Sequence, residues 1–259
     1  MNIKQTIEHR TSVRTYSPTP LDESHIAALQ TSIDTAGTPF GGDIKIGLVH
    51  FTNDAPARPG TYGVIKGAEW FMVMSAADDD RSWLSAGFMM EQPVLEATEL
   101  GLGTCWMAAT FSSKQFSKVF EAPEGQKIMM VSPVGYPVGR KRILERITGM
   151  IAKSRTRKEF STLFRDTDTD SRFNDALEMM RLAPSSVNSQ PWRAIVSQGA
   201  VHFYNAGKGR LSLVDMGIGL CHFYLTCRHN GIEGKFQQAE APQFDKATYV
   251  CSFLTDQGQ

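Results

Sequence analysis

The chain has 259 residues, 41% of them hydrophobic and 21% charged, enough to bury a substantial core as one large domain or two small ones. Its 27 basic and 27 acidic side chains cancel, which argues against a nucleic-acid or anionic-membrane binder, whose affinity leans on a basic excess. Zero net charge still permits a local basic pocket.

The first residues, Met1 to Gln5, lack the apolar core of a signal peptide. Asp22 is placed to cap a helix whose apolar positions Ile26, Leu29, Ile33 and Ala36 follow the spacing of one buried face. Gly37, Pro39, Gly41 and Gly42 break it, and residues 44–48 alternate like a strand. Residues 52–63, rich in Pro, Gly and Asp, predict a long loop. The unbroken apolar run from Trp70 to Met74 predicts a buried strand. It belongs to the longest apolar stretch, which ends near Ala77 and is too short to span a bilayer. A helix over about 85–100 follows, stopped by Gly101 at a C′ position. Residues 128–131 predict another strand, ended by Pro133, Gly135 and Pro137. Later, 194–196 and 201–204, joined at Gln198-Gly199, predict a hairpin, and 249–254 a last strand. The four cysteines, Cys105, Cys221, Cys227 and Cys251, form no CxxC pairing, and a reduced, cytoplasmic protein is expected. The fold class expected is α+β, a mixed, mainly antiparallel sheet with helices packed around it.

The second half restarts the plan of the first. Phe173, Ala176, Met180 and Ala183 repeat the spacing of Ile26, Leu29, Ile33 and Ala36 at an offset of 147. Gly217, Leu225 and Gly231 repeat Gly87, Leu95 and Gly101 at an offset of 130. Two pseudo-twofold-related halves are expected, 1–150 and a shorter 151–259.

Two strings carry candidate chemistry. In an extended Arg10-Thr11-Ser12-Val13-Arg14, alternate side chains share an edge, so Arg10, Ser12 and Arg14 form a polar ridge suited to a phosphate. Alone, so short a motif is equally a solvated turn. Residues 182–192, Leu-Ala-Pro-Ser-Ser-Val-Asn-Ser-Gln-Pro-Trp, crowd hydroxyl, amide and backbone donors into a small space, which suits a heterocycle with several ring heteroatoms.

Arg10-x-Ser12-x-Arg14 and Pro184-Ser185-Ser186-x-Asn188-x-Gln190-Pro191-Trp192 resemble the two FMN-binding signatures of the nitroreductase superfamily. Gly101-Leu102-Gly103-Thr104-Cys105-Trp106 resembles its third, and Gly135-Tyr136-Pro137 followed by Lys153-Ser154-Arg155 resembles its last strand and phosphate-binding basic residues. Ordinary members carry the second string about one helix after the first, where this chain reads Ala36-Gly37-Thr38-Pro39-Phe40-Gly41-Gly42. That displacement resembles the divergent TM nitroreductase branch, in which one chain mimics the family dimer.

The resemblance implies one FMN site per chain and a protein able to work as a monomer. Gly231-Ile232-Glu233-Gly234-Lys235-Phe236 stands where a second copy of the third signature would lie, so the symmetry-related site should be lost. It implies that Arg10, Ser12, Lys153 and Arg155 hold the phosphate, that Thr11 belongs to the same cofactor-binding set, and that Arg14 approaches the pyrimidine edge of the ring. Pro184, Ser185, Ser186 and Asn188 would contact ring or ribityl chain from the other half. Trp106, Met107, Ala108 and Ala109 would line the ring, without the acidic residue that many relatives have near Ala108. Tyr62 and Gly63 are further candidates. It implies a ping-pong oxidoreductase in which NAD(P)H reduces FMN and a nitroaromatic, quinone or similar small molecule reoxidises it, with no catalytic side chain, metal, nucleic-acid partner or membrane partner. A flavoenzyme of another reaction type, or a degenerate flavin-binding scaffold without activity, would carry the same residues. Lys153 to Lys158 also reads as a solvated charge run, Asp78-Asp79-Asp80 as a solvated turn, and Cys221, His222, Cys227 and His229 match no common zinc spacing.

Overall fold

The computed structural model describes residues 1–52, 58–138 and 156–255. The boundary expected near residue 150 lies outside the described residues. The strands divide into two sheets rather than one. The first contains β1 (Ile44–His50), β2 (Trp70–Ala77), β3 (Gly103–Thr104) and β4 (Gln126–Gly135), in the order β1-β2-β4-β3, all antiparallel. The second contains β5 (Phe164–Asp166), β6 (Trp192–Ser197), β7 (Ala200–Asn205), β8 (Gly234–Gln237) and β9 (Thr248–Thr255), in the order β5-β6-β7-β9-β8, and only β5 runs parallel to its neighbour. The class is therefore α+β with mainly antiparallel strands.

The helices are α1 (Ile3–His9), α2 (Glu23–Thr35), α3 (Asp80–Glu99), α4 (Ser113–Phe116), α5 (Phe160–Leu163), α6 (Asn174–Leu182) and α7 (Leu211–His229). No helix among the described residues is long and apolar enough to cross a membrane. The long α3 and α7 cross at Gly87 and Gly217. A Cβ on Gly87 would fall 2.1 Å from the Val214 carbonyl oxygen, and one on Gly217 would fall 2.0 Å from that of Leu84. Only glycine permits backbones to approach this closely. Both helices stop the same way, at Gly101 (φ +74°) and Gly231 (φ +73°), with Leu102 N–H donating to Ala97 O at 2.8 Å and Ile232 N–H to Cys227 O at 2.9 Å. Around the crossing one apolar cluster joins Met72 and Met74 of β2, Phe88 of α3, Phe223 of α7, and Trp192, Phe203 and Phe253 of the second sheet.

Some local expectations differ from the structure for identifiable reasons. The helix expected from residue 85 begins at Asp80, because Asp79 accepts hydrogen bonds from Ser82 N–H at 2.9 Å and Ser82 Oγ at 2.7 Å. The triple-Asp turn is thus a helix start, and Asp78 and Asp80 also receive Arg210 at the start of α7. Asp22 occupies the N-cap of α2 but makes no side-chain capping bond; its carboxylate accepts from Tyr136 Oη at 2.8 Å instead. Strand β4 continues through Pro133 to Gly135, since β3 pairs only with Val134 and Gly135 and the next amide, Cys105 N–H, turns to Ser132 Oγ at 3.1 Å. A residue lacking an N–H is tolerated there. The β6–β7 hairpin turns at Gln198 (φ 54°) and Gly199 (φ 70°), the two left-handed positions that a tight hairpin matching strand twist requires.

Candidate cofactor-binding site

Helix α1 delivers Arg10 into the interior. Its start is closed by reciprocal bonds, Gln5 N–H to Asn2 Oδ1 at 2.9 Å and Asn2 N–H to Gln5 Oε1 at 3.1 Å. Ile7 packs against Leu95 of α3 and Met179 of α6, and Thr6 Oγ1 donates to Glu99 at 2.8 Å. Arg10, at the C-cap, is left only 9% exposed, and its Nε and Nη1 have no hydrogen-bond partner among the described residues. Burial pushes its proton affinity down, while the charges of Glu91 and Cys105 oppose that shift. A buried guanidinium with idle donors is costly unless an anion completes it.

The segment after Arg10 is clamped between two others. Val13 N–H donates to Thr104 O at 2.8 Å, Lys66 N–H to Arg14 O at 2.9 Å and Tyr16 N–H to Lys66 O at 2.8 Å. Gly103 is required by close approach, since a Cβ there would meet Val13 Cγ2 at 2.6 Å. Thr11 and Ser12 are exposed and Arg14 is half-buried. Burial raises the Cys105 thiol, with Arg14 and Arg10 pulling it down, so both guanidinium groups act on this segment. Tyr62 (φ 49°) and Gly63 (φ 76°) form an exposed turn within four residues of the Lys66 tie.

Beyond Cys105 the four ring-lining candidates separate. Met107 is buried in the core, and its amide and carbonyl both pair with Val131 at 3.0 Å, so it presents nothing to a ligand. Ala108 is half-buried and Ala109 exposed. Trp106 is half-buried and its indole Nε1–H donates to Glu91 Oε2 at 2.7 Å.

The second string folds into a strained loop. Val187 (φ 46°), Asn188 (φ 57°) and Gln190 (φ 50°) are all left-handed without being glycine, and Val187 is 97% exposed. Such strain persists only where the surroundings hold it. Asp215 of α7 accepts from Ser186 N–H at 2.9 Å and Ser189 Oγ at 3.2 Å, and Ser185 Oγ accepts from Gln190 N–H at 3.0 Å. Lys158 Nζ donates to Ser189 O at 2.6 Å and its N–H to Gln190 Oε1 at 2.8 Å. Desolvation raises the Asp215 carboxyl to about 6, against the opposing bonds from Ser186 and Ser189. Asn188 Nδ2 donates to Thr156 O at 2.9 Å, and Arg157 reaches Leu182 O at 2.9 Å and Asn188 Oδ1 at 3.4 Å. Arg157 is lowered to about 10 by burial and by the charges of Arg10 and Arg181. The Asn188 loop is thus fastened to Arg157, whose guanidinium also feels the charge of Arg10.

A family model described as Putative TM nitroreductase matches residues 2–227. The chain belongs to this family. A nitroreductase crystal structure from Thermotoga maritima MSB8 is 24% identical, covers 98% of this chain and 94% of its own, and superposes with a TM-score of 0.63, which shows a shared fold. Two shorter relatives align over about half the chain. A nitroreductase family protein of Clostridium novyi NT is 19% identical over 54% of this chain and 88% of its own, at TM-score 0.43. A Bacteroides fragilis nitroreductase with bound FMN is 16% identical over 53% of this chain and 89% of its own, at TM-score 0.42. Among curated proteins no match is found.

The third string is tied through Trp106 to Glu91, whose carboxylate acts electrostatically on Arg10 of the first. Lys153 and Arg155 lie outside the described residues. Arg157, two positions further, is the basic residue fastened to the Asn188 loop. The sequence showed it only as one cation in a run, without the turn that buries it. Asp215, Glu91 and His222 carried no motif at all. Cys221 and Cys227 are wholly buried in the apolar cluster, and His222 pairs with Glu91, not with the cysteines.

Proposed function

We propose that this chain is an FMN-dependent oxidoreductase that uses NAD(P)H to reduce a nitroaromatic, quinone or similar small acceptor in a ping-pong cycle. The observation that carries it is Arg10, a buried guanidinium whose Nε and Nη1 have no partner among the described residues, within electrostatic reach of Arg157. A buried guanidinium with idle donors fits a phosphomonoester, which accepts several charge-assisted hydrogen bonds. When bound, FMN supplies a ring that takes a hydride from NAD(P)H and returns electrons to the acceptor.

The chain's own residues bind and orient. Arg10, with Thr11 and Ser12, holds the phosphate, and Arg157 adds positive charge while its guanidinium fastens the Asn188 loop. Arg14 offers a cation to the pyrimidine edge and favours negative charge there. Pro184, Ser185, Ser186 and Asn188 form one wall, while Trp106, Ala108 and Ala109 form the opposite one and exclude water. Arg10 to Ala109 come from 1–150 and Arg157 to Asn188 from 151–259, so one chain completes one site and a monomer suffices. A cytoplasmic location, with no nucleic-acid or membrane partner, fits this chemistry.

The test is spectroscopic. Purified protein should bind one FMN per chain, and NADH or NADPH should bleach its visible absorbance anaerobically, with recovery on adding a quinone. Two FMN per chain would refute the single composite site. An FMN complex that neither nucleotide bleaches would refute the oxidoreductase.

A further inference from the structure

The Trp106 indole is held by a side chain of α3, outside its own segment. Glu91 lies one turn beyond Gly87 on α3, and its side chain and that of His222 on α7 are both 0% exposed. Glu91 Oε2 accepts the Trp106 indole N–H at 2.7 Å, Glu91 Oε1 lies 2.8 Å from His222 Nε2, and His222 Nδ1 lies 3.0 Å from the Met179 carbonyl of α6. The carbonyl can only accept and the indole only donate. His222 Nδ1 therefore carries a proton, Oε2 carries none, and a single proton lies between Oε1 and Nε2. The pair is net neutral on whichever atom that proton sits, which allows a carboxylate and an imidazole to be wholly buried together. Apolar residues of the same size would fill this space without desolvation cost. They could not hold an indole N–H.

We propose that Glu91, braced by His222, is a positioning residue that sets the orientation of the Trp106 ring on the flavin-facing wall. This rests on the FMN reading above. The bonded chain runs from α6 through α7 and α3 to the segment after β3, so the wall is fixed to the helix crossing and not to its own loop. The same carboxylate acts electrostatically on Arg10, linking the ring wall to the phosphate end.

The test uses the full chain with Trp106→Phe, Glu91→Gln and Glu91→Met. Trp106→Phe assigns the Trp106 indole resonance in a 1H–15N spectrum and its contribution to the near-UV circular dichroism. Glu91→Gln can still accept from the indole through its carbonyl and donate to neutral His222 through its amide, so the indole signal should shift while the dichroism and FMN affinity hold. Glu91→Met removes the acceptor. It should lose the Trp106 dichroism and weaken FMN binding roughly tenfold, as should Trp106→Phe, and the double variant should be no weaker than either single. An indole resonance unmoved by Glu91→Gln would overturn the proposal even if Glu91→Met fails to fold. So would additive losses, or wild-type FMN affinity in Trp106→Phe. If the wild-type protein binds no FMN, the flavin reading falls and this proposal with it. If wild type binds FMN and Glu91→Met matches its affinity, only the positioning role falls.

Discussion

The loops that follow α2 and α6 leave their helices alike and carry different chemistry. Ala36 exits at φ −59°, ψ 126° and Ala183 at φ −53°, ψ 147°, each N–H returning to a carbonyl in the last turn, Ile33 at 3.3 Å and Met180 at 3.1 Å. Each loop then rests on a long central helix. Ser85 of α3 donates to Gly41 O, and Ser82 Oγ accepts Asp43 N–H at 3.0 Å. On α7 the brace is Asp215, 130 positions after Ser85, the offset that also relates Gly87 to Gly217. A neutral hydroxyl holds a glycine-rich loop, and a buried carboxylate holds the loop presenting Ser186, Asn188 and Gln190. Scaffold geometry decides where such a loop lies, and the side chains at the brace and tip decide whether it can grip a ligand.

The most damaging way to break the comparison is at its centre. Gly87→Ala and Gly217→Ala should each destabilise by about 3 kcal/mol or more in denaturant unfolding, because the new methyl would overlap a backbone oxygen that cannot move alone. Equal losses at both positions would support a symmetric crossing. Tolerance of either would refute the close approach.

Arg10→Met should cost about a hundredfold in FMN affinity by fluorescence titration, the loss of two charge-assisted bonds. It should not lower stability, since it removes a buried charge lacking partners. A large drop in melting temperature would instead mark Arg10 as structural.

Asp215 gives the comparison a pH axis. Its folded carboxyl sits at about 6 against an ordinary 3.8, so folding is favoured while the group is protonated in both states. That advantage is lost as pH rises from about 4 through 6, at a cost of about 3 kcal/mol. Asp215→Asn keeps an acceptor for Ser186 N–H and offers Ser189 Oγ a donor. It should raise stability above pH 6 by about 2 kcal/mol, flattening the profile between pH 4 and 6. An unchanged profile would place the titration elsewhere.

The smallest effects distinguish the two tips. Asn188→Ala should weaken FMN binding about tenfold, while Thr38→Ala in the glycine-rich loop should leave affinity unchanged and stability within about 0.5 kcal/mol. Equal losses from both would refute a site built on the second loop alone.

Much of the fold was legible because its signals are local. Leu29 and Ile33 mark a buried helix face, Gly101 and Gly231 stop helices in left-handed geometry, and Gln198-Gly199 turns a hairpin. Asp79 as a cap and Pro133 within a strand were missed. A cap depends on which of several adjacent Asp residues meets the amide, and a proline on whether its neighbour strand has already ended.

The site divides along the same line. Contiguous strings determined by themselves that Arg10, Ser12 and Arg14 share a segment and that hydroxyl and amide groups crowd around Asn188, because residues close in sequence stay close however the chain folds. Only the tertiary structure decided that Arg157 fastens the Asn188 loop, that Asp215 braces it, and that Glu91 and His222 reach Trp106. Those contacts are set by the crossing of α3 and α7 at two glycines and by the burial of charge there, and no spacing along the chain encodes a distance across a helix interface.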